Sequence, residues 1–208
     1  MVLKVLSLLF FLVSSFTVAA QIHDSTYKNQ IKFSFLRLVD YRSPGVEIIY
    51  EKLHSKKWAT EVSGAYLGLY SKSYPKGYRL GLERKYFIKE RRKFKNYLSG
   101  EGVFINTSLR DRTFFDSTPN ITIIDTFKIN KKTGTFNLKI GSQIISSRVV
   151  FEFSYGLGIR YRTIKHKERS IPYNPPFNRG LNGYGIEKLE GSSWLIVVPF
   201  NVKFGYVF

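Results

Sequence analysis

The 208-residue chain has no cysteine, which rules out a disulfide framework and a thiolate metal site. Its three histidines, His23, His54 and His166, are too scattered for an imidazole metal centre. Acid is scarce: 15 Asp and Glu stand against 33 Lys and Arg, a formal charge of +18. Beyond Val13 no continuous apolar run approaches the ~20 residues a helix needs to cross a bilayer. Whatever follows that point can cross a membrane only as strands closed into a barrel.

What is present begins with MVLKVLSLLFFLVSSFTVAA. Lys4 gives a positive start, Val5 to Val13 an apolar core interrupted only by Ser7, and Val18-Ala19-Ala20 a small-residue cleavage site. The pattern predicts a signal peptide over 1–20 and one exported domain over 21–208. No Cys follows the cleavage site, so a lipid-anchored lipoprotein is excluded. Export argues against nucleic acid as the partner of the basic excess and leaves phosphate-rich lipid surfaces or anionic polysaccharide. The 18 Phe and 14 Tyr suit a β-rich chain.

Alternation with period two runs through the exported part. In WLIVVPFNVKFGYVF every even residue from Trp194 to Phe208 is apolar, while the odd positions are mixed. RVVFEFSYGLGIRYRT places Val149, Phe151, Phe153, Tyr155, Leu157, Ile159 and Tyr161 on one face and Arg148, Glu152, Ser154, Gly156, Gly158, Arg160 and Arg162 on the other. Similar segments begin near Ile31, Val46, Trp58, Tyr78, Tyr97 and Phe136, which makes eight strands. The parity around Glu101, between Gly100 and Gly102, is not readable, and a bulge is plausible there.

The polar faces mix Gly, Ser, Glu and Arg. Small residues beside charges suit a narrow lumen in which ions pair and glycines leave room. The connections alternate too: short or moderate turns fall on one end, and two long ones, about 110–131 and 164–193, fall on the other. NITIIDTFKI within the first of these alternates as well, so strands are expected to continue upward there. The fold expected is therefore all-β, an eight-stranded antiparallel up-and-down transmembrane β-barrel.

The last strand, with Phe204, Tyr206 and Phe208 at alternating positions, resembles the C-terminal signature of outer-membrane β-barrel proteins. GVEIIYEKL, GLERKYFI and NYLSGEGVFI resemble small OmpA/OmpX-type barrels of Bacteroidetes-type bacteria. The resemblance implies that the barrel-assembly machinery reads those three aromatic residues during insertion. It also implies a monomer in the outer membrane of a Gram-negative bacterium, in contact with lipid and lipopolysaccharide.

On this parity Glu47, Glu51, Glu61, Glu83, Glu101 and Glu152 point inward with Arg79, Lys85, Lys139, Arg148, Arg160, Arg162 and Lys203, as a structural ion-pair network. No catalytic residue, cofactor or metal ligand is expected. His166 with Glu168 and Ser170 is the one constellation near the outer rim, and it lacks a hydrolase spacing. The role expected is non-enzymatic, structural or surface-interacting. The alternatives are a narrow solute channel, a lipid A-modifying enzyme and a soluble lipocalin-like carrier.

Overall fold

A computed structural model describes residues 28–35, 45–68, 75–91, 94–118, 121–168 and 190–208. The expected signal peptide lies outside the described residues. The strands are β1 (Asn29–Ser34), β2 (Gly45–Ser55), β3 (Trp58–Leu67), β4 (Lys76–Arg91), β5 (Phe94–Thr118), β6 (Ile121–Ser146), β7 (Val149–Lys167), β8 (Gly191–Val197) and β9 (Phe200–Val207). Consecutive strands from β1 to β7 pair antiparallel, β8 and β9 both pair with β7, and β9 returns to β1 with Phe33 opposite Phe204. The sheet closes on itself as a barrel of eight staves, the eighth made of β8 and β9 in line.

The terminal stretch, expected as one strand, is interrupted at Val198 and Pro199. Proline has no N–H to give the ladder, although the Pro199 carbonyl still accepts the Gly156 N–H at 3.1 Å. Alternation passes through the break unchanged, with Trp194, Ile196, Val198 and Phe200 all exposed. A second departure is at Glu101. No bulge occurs there: Glu83 faces Glu101 directly, and the register shift of this strand pair lies at Phe87/Lys89.

Two expected connections are strand instead. β4 continues to Arg91 and β5 starts at Phe94, so the basic stretch 89–93 is mostly ladder. The long connection expected over 110–131 is a hairpin, with β5 reaching Thr118 and β6 starting at Ile121. Its register pairs alternating residues without interruption as far as Asp116↔Thr122, because the period-two pattern never stops. Beyond Lys167, most of the other long connection lies outside the described residues.

Side chains sort by parity. Ile48, Val62, Leu80, Leu82, Leu138, Leu157 and Ile159 are exposed on the outer face, whereas Glu51, Glu61, Glu83, Lys85 and Glu152 are buried inside. The hairpin turns at 55–58 and 146–149 share one end with the Asn29–Phe208 pair, where the Phe208 N–H donates to the Asn29 carbonyl at 2.9 Å.

Closure relies on one close approach. Gly205 lies opposite Lys32, and a Cβ there would collide with the Ile31 carbonyl oxygen and come 2.7 Å from Lys32 Cγ. The missing side chain is what lets the Lys32 stem lie over the seam. We expect Gly205→Val to lower stability by about 1–3 kcal/mol, read as the urea midpoint of the detergent-refolded protein. Gly64, whose Cβ would meet nothing within 4 Å, is the control: Gly64→Ala should stay within about 0.5 kcal/mol.

Candidate functional site

The barrel interior is filled from all eight staves. In register across β2 to β5, Glu51 faces Glu61, Glu61 faces Glu83, and Glu83 faces Glu101. Like charges directly opposite on neighbouring strands repel, so this row of four carboxylates cannot stand alone. Lysines answer it, mostly from across the lumen. Lys32 on β1 donates to Glu51 Oε2 at 2.8 Å and also contacts Glu152. Lys203 on β9 contacts Glu61 and lies 3.1 Å from Glu83 Oε2. Lys139 on β6 reaches Glu83 Oε2 at 2.8 Å and Glu101 Oε2 at 3.3 Å.

Lys85 on β4 is the hub. Its ammonium donates to Glu51 Oε2 (2.5 Å), Glu61 Oε2 (2.7 Å) and Glu152 Oε1 (2.8 Å). It also sits 4.8 Å from the centre of the Tyr97 ring, where the electron-rich face adds to its binding. The Tyr97 hydroxyl donates to Glu152 Oε1 at 2.7 Å. Gln143 on β6 donates to Glu51 and to Glu152 Oε2 (2.8 Å). Towards the loop end, Arg79 Nε donates to Glu47 (3.0 Å) and Asn137 to Glu101 (2.7 Å). Towards the tight-turn end, Ala59, Phe87 and Tyr97 form a buried apolar cluster that lies beneath the ions.

Glu51, Glu61 and Glu152 have carboxylate oxygens within 4.8 Å of one another, a spacing that could hold a metal ion. The Lys32 and Lys85 ammonium groups contact all three carboxylates, so the positive charge such a cluster requires is supplied by the protein. The interior is also balanced: the buried ionisable residues are Glu47, Glu51, Glu61, Glu83, Glu101 and Glu152 with Lys32, Arg79, Lys85, Lys139, Arg162 and Lys203. The chain's whole excess of +18 is therefore carried by its other residues.

Not all of the predicted lumen residues lie there. Arg148 is exposed beside the β6–β7 turn and donates to the Tyr206 hydroxyl at 2.9 Å; its strand has only just begun, so its side chain reaches out over the rim. Arg160 is half-buried, and buried Arg162 donates to Ser193 on β8 at 2.9 Å, which puts both above the main network. Lys32 was missed. It is the one charge between Ile31 and Phe33, and the alternation IKFSF carries the signal that would have found it. Tyr97, Gln143 and Ser99, which donates to Glu83 at 2.6 Å, were missed as well, because neutral polar residues on an inward face give no sequence signal of their partner.

The three aromatic residues of the terminal signature lie on the outer face, Phe204 half-buried and Tyr206 and Phe208 exposed. Among the histidines, His54 shares a hydrogen bond of 2.9 Å with Thr60. The His166 ring packs 5.0 Å from that of Phe127, while Ser170 lies outside the described residues. No protein-family model, curated protein or solved structure matches the chain.

Gly141 makes the hub possible. It faces Tyr97 across β5 and β6, and a Cβ there would collide with the phenol ring. We expect Gly141→Val to displace Tyr97 and raise its accessibility to nitration. Removing one ion while its partners stay buried is costlier. Lys85→Met or Glu51→Lys should destabilise the barrel by about 3–5 kcal/mol, measured by denaturant unfolding in micelles.

Proposed function

We propose that the chain is an integral outer-membrane β-barrel, non-enzymatic, with a sealed interior and a structural or surface-interacting role. One observation carries this reading: the apolar face is the outer face. On β7, Phe151, Phe153, Tyr155, Leu157, Ile159 and Tyr161 are all exposed in succession. At ~3.3 Å per residue and a tilt of ~40°, that row stands roughly 25 Å tall, the height of the lipid-facing band of outer-membrane barrels.

The ends of the band fit the same reading. Trp58 and Tyr86 pair at 4.9 Å near the tight turns. Tyr161 with Trp194 (4.8 Å) and Tyr78 with Phe104 (6.2 Å) mark the other end, as interfacial girdles do. The only cation described within the aliphatic belt, Arg84, donates to Thr60 at 2.5 Å and lies 5.1 Å from the Trp58 ring, its head drawn towards the girdle. A soluble carrier needs an apolar lumen, and this lumen is ionic. A solute channel needs an open path, whereas Lys32, Glu51, Lys85, Gln143 and Glu152 are fully buried and bonded to one another.

Two outcomes check the proposal. The folded protein from the membrane fraction should migrate differently on SDS gels before and after boiling, as closed membrane barrels do. Reconstituted in planar bilayers, it should give no step conductance. Recovery from the soluble fraction without a mobility shift would reverse the reading, and steady unitary currents would replace the sealed barrel with a channel.

A further inference from the structure

The extended β5–β6–β7 sheet carries a second row of like charges, this one on the outside. Arg110 faces Lys128 across β5 and β6, and Lys128 faces Lys167 across β6 and β7. Lys165 lies opposite Asn130, and Lys132 opposite Thr163, on the same outer face. At ~5 Å between directly opposed positions, three cations stand within about 10 Å, an arrangement that destabilises the strands bearing it. Inside the barrel the corresponding glutamate row is met by lysines. Here the acids described nearby are Glu168, which follows Lys167 at a left-handed φ of 61°, and Glu190, which accepts the His166 N–H at 3.3 Å.

The row is rigidly presented. On the opposite face Phe127, Ile129 and Ile164 form a buried apolar cluster, and the ladder is continuous beneath it. Its height is also defined. Lys165 follows Tyr161 of the loop-end girdle by four residues, and Lys132 precedes outward-facing Phe136 by four. With the apolar band in a bilayer, four residues of tilted strand lift these ammonium groups about 10 Å above the girdle, into the headgroup layer.

We infer that this stripe binds the phosphomonoester headgroup of a membrane lipid, with Arg110, Lys128 and Lys167 as its centre and Lys165 beside them. A phosphomonoester brings up to two negative charges and three acceptor oxygens, which matches three cations in a row better than a singly charged diester does. The inference rests on the membrane reading above and adds a partner to it.

The test uses the full chain with Trp58→Phe, so that Trp194, paired with Tyr161 beneath the stripe, is the one fluorescent indole. The protein is inserted into phosphatidylcholine vesicles doped with brominated phosphatidic acid, brominated phosphatidylglycerol or brominated phosphatidylcholine. Quenching by phosphatidic acid should exceed that by the other two at equal mole fraction. In Lys128→Gln/Lys165→Gln/Lys167→Gln the apparent affinity should fall at least about tenfold, with heat-modifiable migration retained. Equal quenching by the three lipids, or an undiminished preference in the triple variant, overturns the inference while the barrel stands. Abolition of the preference by millimolar inorganic phosphate overturns it too, assigning the stripe to a soluble anion. A chain that neither inserts nor shifts on boiling overturns the membrane reading and this inference with it.

Discussion

Four glutamates side by side on neighbouring strands are the constraint around which the barrel is organised. Glu51, Glu61, Glu83 and Glu101 are brought level by the register of β2 to β5, and nothing within that four-strand sheet except Lys85 and Arg79 offsets them. Their other partners are Lys32, Lys139 and Lys203, on β1, β6 and β9. Every cation the row lacks arrives from the part of the sheet that has to curl round to reach it. The register that creates the repulsion and the closure that relieves it are consequences of one topology.

The energetic balance is unusual for a protein interior. Desolvating an ion pair costs about as much as its attraction returns, so buried pairs seldom add net stability and often specify an arrangement. Here the arrangement specified is the closed one. A slip of one residue on any stave would put lysines and glutamates on the outer face and aliphatics in the lumen. It would also separate each carboxylate from two or three donors at once. Shape supports charge at the centre: Gly141 makes way for Tyr97, and Gly205 for Lys32. Both glycines serve the ions they neighbour.

Much of this was legible in the sequence, for a simple physical reason. A strand exposed to an apolar surrounding on one side and a polar lumen on the other has the strongest two-residue contrast available, and RVVFEFSYGLGIRYRT displays it over sixteen residues. Strand number, parity and most of the inward charges follow from that contrast. Parity failed at the ends, where Arg148 sits at the first residues of its strand and is free to reach outward to Tyr206. It is silent about connections as well, since residues 110–131 read as a loop by their polarity and as strand by their period. Partner choice was the least readable feature. Which lysine meets which glutamate depends on curvature and stagger, and these belong to the closed sheet.

The two charged rows show how one rule of strand pairing leads to opposite outcomes on the two sides of a sheet. Inside, the row of carboxylates is enclosed, and the six positive and six negative buried residues make the interior neutral. Outside, Arg110, Lys128 and Lys167 stand in register beyond the girdle, in the part of the molecule that carries all of the net charge. Enclosure fixes the ligands of the first row permanently, because the donors are covalently part of the same ring. The second row has no enclosing wall, so its repulsion is relieved only by anions of the surroundings, and its cost rises as those anions are withdrawn or as salt is lowered. The extended hairpin is thus tied to the surface it stands in by the same interaction that closes the barrel beneath it.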